Sequence, residues 1–514
     1  MKTAGQSGRP SLAAAIAVWG IVMSASATPA MAGELDRKVR QWVPVEWTLE
    51  SPAVAGNPFD LVAMVAFVHA DSGENRTTEM FHAGGRKWKF RFTATRPGKW
   101  TFTTASKVKA LAGKRGAITA EANPMGRGFV TGFGSKWGWS GTGEVFVPQL
   151  LMYLTPDKYH KKPERIDRDI KTFLVDHGFN GFHTYVFCRW FDIGQDRADR
   201  LRAKGPDPDP RTFEALELLI GKTYAAGGMV HIWAWGDESR RQTPIGLGGK
   251  NGPADRRLQR YIAARLGPLP GWTMGYGYDL WEWVKADDLR KWNSYMHKHL
   301  GWPHLLGGRA HKNRLSQIYD RLDYSGYEQH RPDYKKYVET ISKRPAKPSF
   351  SEDRFRIRQS RTYRGKDYDM AMTRRGLWHS TMAGGVANIW GRLDRQHSSL
   401  GSKPYARPEW IKTWSVFFKG RFLKDMARAN KLTDGVCLAR PGGEGYVFYT
   451  EDAESILMDL SGMPAAAKAV AVDALKPYKE IDLGKLKPQK QTWEAPHKSD
   501  WAIAVGSFGR ARER

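Results

Sequence analysis

Two acidic side chains, Asp279 and Glu352, are placed where a pair of carboxylates could act on one bond. Asp279 ends the run Gly275-Tyr276-Gly277-Tyr278-Asp279, and Glu352 follows the apolar stretch Pro348–Ser351. One carboxyl group of such a pair donates a proton to a leaving oxygen, while the other attacks the anomeric carbon or activates water. The two residues therefore predict hydrolysis of a glycosidic bond. A lone acid at a loop start is more often a helix cap or a salt-bridge partner, so the prediction depends on how the chain positions both.

The elements that must position them lie between residues 125 and 430, where short apolar runs alternate with helical patterns. Such alternation indicates parallel strands joined by helices. Eight units predict a closed (β/α)8 barrel, whose active site lies at the carboxyl ends of its strands. The predicted strands are 145–153, 181–187, 229–235, 272–278, 303–308, 321–324, 348–351 and 385–390.

Polar and aromatic side chains at these strand ends are the candidates for substrate binding. Glu282 is the alternative acid to Asp279, and Arg354 could keep Glu352 ionised through its positive charge. The complete set of binding candidates is His183, Asp192, Trp235, Asp237, Glu282, Arg309, Tyr327, Glu328, Arg354 and Trp390.

Residues 33–124 and 431–514 have β character. Trp88-Lys89-Phe90-Arg91-Phe92 alternates aromatic and cationic side chains, and Arg96-Pro97-Gly98-Lys99 is a turn, which together are typical of half-buried strands. The fold class expected is multidomain α/β: a central barrel between an N-terminal Ig-like β-sandwich and a C-terminal β-sandwich.

Residues 1–32 resemble a signal peptide. Lys2 and Arg9 precede an apolar run, Leu12–Met23, and Ala30-Met31-Ala32 is a cleavage site of the A-x-A type. The apolar run is too short for a permanent membrane span. We therefore expect an exported protein, periplasmic or extracellular, that begins at Gly33 and has no integral membrane segment.

The composition of the chain indicates which substrates and cofactors to expect. The chain of 514 residues has a net charge of +28 and 21 tryptophans. An exported basic protein is expected to meet an acidic poly- or oligosaccharide rather than nucleic acid, although the charge could equally solvate the surface. No cofactor and no metal is expected, because Cys188 and Cys437 are the only cysteines and no tight Cys/His spacing occurs. The sequence leaves open the sugar, the linkage and the oligomeric state.

The barrel region resembles the apiosidase-like barrels of the clan A glycoside hydrolases. The similarity lies in Trp190-Phe191-Asp192, Tyr276-Gly277-Tyr278-Asp279 and Met382–Gly391. It implies a retaining reaction with Asp279 as general acid and Glu352 as nucleophile. Clan A barrels usually carry an Asn-Glu pair at the end of strand four, whereas this chain has Tyr276-Gly277.

The flanking segments carry two further resemblances. Asn57-Pro58-Phe59 and Arg96–Trp100 are similar to the Ig-like module that often precedes such barrels. Val447-Phe448-Tyr449, Met458–Gly462 and Asp500-Trp501 resemble the collagen-binding-type module found after them.

Two other functions are compatible with the sequence. A polysaccharide lyase would need a base and a group that neutralises charge instead of two carboxylates. A non-catalytic glycan-binding protein could be built on a degenerate barrel.

Overall fold

The computed structural model of the chain describes residues 35–201, 206–310, 322–357, 368–391, 393 and 404–508. The predicted signal peptide lies outside these residues. In the described part of the chain, no helix is both long and apolar enough to cross a membrane.

The N-terminal strands form two sheets, ordered β1-β8-β7-β3-β4 and β2-β6-β5. Trp47 and Phe90 of the smaller sheet pack against Phe67 and Phe102 of the larger one, and the rings of Trp47 and Phe102 are 5.3 Å apart. This aromatic layer is the core that the alternating sequence predicts. The strands are β1 (Arg37–Arg40), β2 (Val45–Glu50), β3 (Ala63–His69), β4 (Asn75–Glu79), β5 (Phe81–His82), β6 (Lys87–Phe92), β7 (Gly98–Ser106) and β8 (Arg115–Glu121).

A small antiparallel sheet, β9 (Val130–Phe133), β10 (Lys136–Trp139) and β11 (Val145–Phe146), lies against the barrel. The Trp137 indole donates to the carbonyl of Ser349, the first residue of a barrel strand, at 3.0 Å. This sheet therefore packs at the amino-terminal ends of the barrel strands, opposite the predicted active site.

Parallel strands form the centre of the molecule in the order β16-β15-β14-β13-β12-β20-β19-β18-β17. Because β16 and β17 are consecutive pieces of one strand interrupted at Gly308, the sheet returns to itself as a nearly closed eight-stranded barrel. The strands are β12 (Gln149–Met152), β13 (Gly181–Tyr185), β14 (Met229–Trp235), β15 (Trp272–Gly277), β16 (Leu306–Gly307), β17 (Arg309–Ala310), β18 (Ser325–Tyr327), β19 (Ser349–Phe355) and β20 (Val386–Trp390).

Two barrel helices have the boundary signals that the sequence predicts, one at its start and one at its end. Asp209 precedes Pro210, the first residue of its helix, and the Asp209 side chain accepts a hydrogen bond from the amide of Arg211. The predicted helical stripe that starts at Ile166 ends at Gly178, which has a φ of 99°. The helices are α1 (Pro156–His160), α2 (Glu164–Asp169, continued in π geometry over Ile170–His177), α3 (Pro210–Ala225), α4 (Pro253–Leu266), α5 (Ala286–Leu300), α6 (Tyr334–Lys343), α7 (Met370–Met382) and α8 (Pro408–Phe418).

Two predicted strands were misplaced. The first barrel strand is Gln149–Met152, because Pro148 interrupts the run and leaves Val145–Phe146 in the small sheet. The sixth strand is Ser325–Tyr327 instead of 321–324, because its small residues Ser325 and Gly326 give no hydrophobic alternation.

The C-terminal strands are joined in one sheet of order β21-β22-β23-β26-β24-β25, where the sequence predicts a sandwich. The long strand β23 shifts register at Thr450–Ser455. One face of the sheet packs on the barrel helices, with Tyr449 stacked on Trp378 of α7 at 4.9 Å. The strands are β21 (Ala427–Arg428), β22 (Val436–Ala439), β23 (Gly445–Asp459), β24 (Ala467–Asp473), β25 (Ile481–Leu486) and β26 (Lys490–Gly506).

The N-terminal sheets are fixed to the barrel by a buried ion cluster. Arg91 of β6 and Arg265 of α4 both contact the carboxylate of Glu217 on α3, at 2.9 and 2.6 Å. Cys188 and Cys437 are both buried and form no disulfide.

Candidate active site

Glu352 lies in the barrel interior with no exposed surface. Its Oε1 atom accepts hydrogen bonds from the indole of Trp233 at 2.9 Å and the hydroxyl of Tyr324 at 3.1 Å. The Nε2 atom of His231 is 3.2 Å from the same oxygen. Three polar side chains thus converge on one carboxylate oxygen, which compensates for the loss of water around it.

Two glycines make room for this carboxylate. A Cβ atom on Gly275 of β15 would overlap Glu352 Oε1, and one on Gly326 of β18 would overlap Oε2. Strands four and seven therefore lie roughly opposite each other, three positions apart around the barrel, as the sequence predicts. The carboxylate of Glu352 fits only because both neighbours lack a side chain.

Asp279 follows β15 at the mouth of the barrel, with its side chain 29% exposed. Its φ of 50° is in the left-handed region, an uncommon conformation for a non-glycine residue. Asp279 forms an ion pair with Arg309, which also contacts Asp353 Oδ1 at 3.2 Å. Arg309 therefore links the residue after strand four to the residue next to Glu352.

The surroundings of Asp279 favour its protonated form. Burial is the largest influence and raises the pKa of Asp279, while the Arg309 guanidinium opposes it. The negative charges of Glu328, Asp353 and Asp237 add to the effect of burial, so the pKa of Asp279 lies above its ordinary value. A carboxyl group with a raised pKa is suited to act as a general acid.

His330 lies between the carboxylates of Asp353 and Glu328, and it contacts Oδ2 of Asp353, whose Oδ1 atom contacts Arg309. Its Nδ1 atom is 2.5 Å from Asp353 Oδ2, and its Nε2 atom is 3.0 Å from Glu328 Oε1. Potential ligand atoms of these three residues all lie within 4.8 Å of one another. Such a trio could hold a divalent cation, but both imidazole nitrogens already face carboxylate oxygens, as expected for an ion-paired histidine.

The structure brings His183, Asp237 and Glu282 into the same neighbourhood. His183 Nδ1 is 2.8 Å from His231 Nδ1. Asp237 is buried and accepts from the amide of Arg240 at 2.7 Å. Glu282 is exposed, and burial, followed by the charges of Asp279 and Asp237, raises its pKa.

For four predicted binding residues, the contacts described by the structure lie outside the surroundings of Glu352. The indole of Trp235 donates to Asp255 on α4, and that of Trp390 donates to Gln149 at 2.8 Å. The described contacts of the other two are with nearby residues: those of Asp192 with Gly194 and Arg211, and the hydrogen bond from the Tyr327 hydroxyl to Gln329.

Arg354 lies close to the site without a described contact to Glu352. Burial, followed by His231 and then the charge of Arg354, lowers the pKa of His183. Burial raises the pKa of Tyr278, and the charge of Arg354 opposes that rise. The side chains that contact Glu352 are instead His231 and Trp233 of strand three and Tyr324, the residue before strand six.

Sequence reasoning missed those three residues, His231, Trp233 and Tyr324. The signal for two of them was available, since His231 and Trp233 alternate on a fully buried strand and so share one face. It also missed Trp281, two residues after Asp279, whose side chain is 42% exposed.

Comparison with known proteins shows the fold. Residues 38–107 match the family model of a domain of unknown function, DUF5060. A search of curated proteins finds no match.

Solved structures similar to the chain include a "putative glycoside hydrolase" from Bacteroides vulgatus ATCC 8482, with a TM-score of 0.73 and 16% identity over 91% of this chain and 99% of that one. A glycoside hydrolase family 5 protein from the same organism has a TM-score of 0.55 and 11% identity over 76% of this chain and 96% of that one. The barrel with its β domains is thus a glycoside hydrolase-like fold.

Proposed function

We propose that the chain is a glycoside hydrolase that cleaves a poly- or oligosaccharide with two carboxylates. The observation that carries the proposal is the placement of Glu352 and Asp279 on strands that lie roughly opposite each other in the barrel. Glu352 is held by Trp233, Tyr324 and His231, while Asp279 has a raised pKa at the mouth. Two carboxyl groups in contrasting environments are what acid and nucleophile roles require.

In this mechanism Asp279 donates its proton to the leaving oxygen. The ionised Glu352 attacks the anomeric carbon and forms a covalent glycosyl intermediate. Asp279, now a carboxylate, removes a proton from the water that hydrolyses this intermediate, and the product retains its anomeric configuration. The exposed indole of Trp281 beside Asp279 supports a carbohydrate ligand, because indole faces stack on the apolar faces of sugar rings.

We also propose that the protein is exported and acts on an acidic glycan. The signal-peptide pattern of residues 1–32 and the net charge of +28 support this. Sequencing the N-terminus of protein recovered from outside the cytoplasm should give Gly33 as the first residue.

Released reducing sugar from a glycan panel is the first measurement. Hydrolysis should be lost in Glu352→Ala and partly restored by azide, which replaces the missing nucleophile. Asp279→Ala should retain activity on substrates with good leaving groups, because these need less protonation. Glu214→Ala, which removes an exposed carboxylate on the outer helix α3, is the matched control.

The outcomes separate the alternatives. An unsaturated product detected by ultraviolet absorbance would indicate a lyase, and binding without product would indicate a glycan-binding protein. An inverted anomer by NMR would contradict the retaining mechanism. Full activity of Asp279→Ala on poor leaving groups would move the acid role to Glu282.

A further inference from the structure

Four buried side chains form a continuous chain of contacts that ends at Glu352. His183 Nδ1 is 2.8 Å from His231 Nδ1, and His231 Nε2 is 3.0 Å from the Tyr324 hydroxyl and 3.2 Å from Glu352 Oε1. All four residues have no exposed surface. The contacts therefore operate without competition from water.

Counting protons assigns a direction to this chain. The Tyr324 hydroxyl donates its hydrogen bond to Glu352. Its oxygen is therefore the acceptor in the contact with His231, and the Nε2–H of His231 is the donor. With its ring proton on Nε2, His231 has a bare Nδ1, which accepts the Nδ1–H of His183. His183 is left with an unprotonated Nε2, and that atom has no hydrogen-bond partner among the described residues.

The charges around the pair agree with this assignment. Burial, followed by His231 and Arg354, lowers the pKa of His183 well below its usual value, and Asp353 only partly opposes them. A neutral His183 can donate from Nδ1 only if its Nε2 is bare.

We propose that His183 and His231 are positioning residues for the nucleophile. His183 fixes the tautomer of His231, so that an N–H of His231 always points at Tyr324 and Glu352 and holds the carboxylate in one orientation. This inference rests on the proposed function, because it assigns the pair a task in a reaction at Glu352.

Paired substitutions separate positioning from packing. His231→Gln keeps an N–H close to the place of Nε2, whereas His231→Phe keeps the ring shape but removes both nitrogens. We expect His231→Phe to lower kcat/KM by roughly 10- to 100-fold, as for the loss of a hydrogen bond to a buried carboxylate. His231→Gln should recover most of this loss. A packing role predicts the reverse order, with His231→Phe near wild type, and that result would overturn the proposal.

The second position and a direct measurement complete the test. His183→Asn, which keeps a donor near Nδ1, should be more active than His183→Phe. Nitrogen-15 NMR of labelled histidines in the intact protein should show His183 protonated at Nδ1 and His231 at Nε2; the opposite tautomers would also overturn the proposal. This readout needs no activity, so it stands even if Glu352→Ala retains hydrolysis and the proposed function fails.

Discussion

The pKa of Asp279 is set by opposing influences, one of which is the charge of its neighbour Arg309. Burial raises the pKa of Asp279 and Arg309 lowers it, and the net effect is a raised value. A general acid must be protonated to act, so activity falls as the pH rises through this pKa. The raised pKa therefore extends the active range to higher pH.

Replacing Arg309 tests this balance. Arg309→Met removes the nearby positive charge, so the pKa of Asp279 should rise further and the alkaline limb of the kcat/KM–pH profile should move to higher pH. Arg309→Lys keeps the charge and should leave that limb close to wild type. An unmoved limb in Arg309→Met would mean that Asp279 is not the titrating acid.

At the scale of elements, an irregularity in β19 presents two consecutive acids to the barrel. Ser351 and Arg354 of β19 pair with two consecutive residues of β20, Asn388 and Ile389. Glu352 and Asp353, which lie between them, have no partner in β20. Both are buried, and each contacts a different group: Trp233 for Glu352 and Arg309 for Asp353. Bulges of this kind redirect side chains near active sites.

We expect Gly275 of β15 to be as important as the bulge for the position of the Glu352 carboxylate. In Gly275→Ala the added Cβ would overlap Glu352 Oε1 and displace the carboxylate. A displacement of about 1 Å can cost about 100-fold in rate, and we expect a loss of kcat of at least that size. The matched control is Gly221→Ala in α3, where a Cβ meets nothing within 4 Å. Unchanged kcat in Gly275→Ala would show that the reaction does not depend on this position of Glu352.

At the scale of the whole molecule, Glu217 couples the N-terminal sheets to the barrel. Burial alone would raise the pKa of Glu217, but Arg91 and Arg265 outweigh it and lower the pKa to about 2. The ordinary value of 4.5 applies in the unfolded chain. The cluster therefore contributes fully above pH 4.5, by about 3 kcal/mol, and its contribution is lost as the pH falls towards 2.

Glu217→Gln should lower the free energy of unfolding by about 3 to 5 kcal/mol at pH 7, because it leaves the buried guanidinium of Arg265 without its carboxylate partner and that of Arg91 with Glu46 alone. Urea unfolding at pH 7 and pH 3 measures this, and the deficit should be smaller at pH 3. Glu214→Gln, exposed on the same helix, is the control and should unfold as wild type does. Equal midpoints for Glu217→Gln and Glu214→Gln at pH 7 would contradict the coupling.

The net charge of +28 leads to a prediction about salt. If the substrate is a polyanion, KM should rise with ionic strength, because exposed charges are screened over about 8 Å at physiological salt. A neutral oligosaccharide in the same assay is the control and should show little change. A flat salt profile with the acidic glycan would leave the charge as a property of the surface alone.

The sequence by itself determined the alternation of strands and helices, the helix start at Asp209-Pro210 and the helix end at Gly178, because these signals are local in the chain. It also determined that Asp279 and Glu352 belong to strands that lie roughly opposite each other in one barrel. It misplaced strand six, whose Ser325 and Gly326 carry no periodic pattern.

Only the tertiary structure decided which groups hold Glu352. His231, Trp233 and Tyr324 are far from Glu352 in the chain, and they meet it because closure of the barrel points strands three, six and seven at one axis. The same closure puts Trp235 against α4 instead of the site. Local periodicity fixes which side chains share a face of a strand, but the distance across a closed barrel depends on every strand between them.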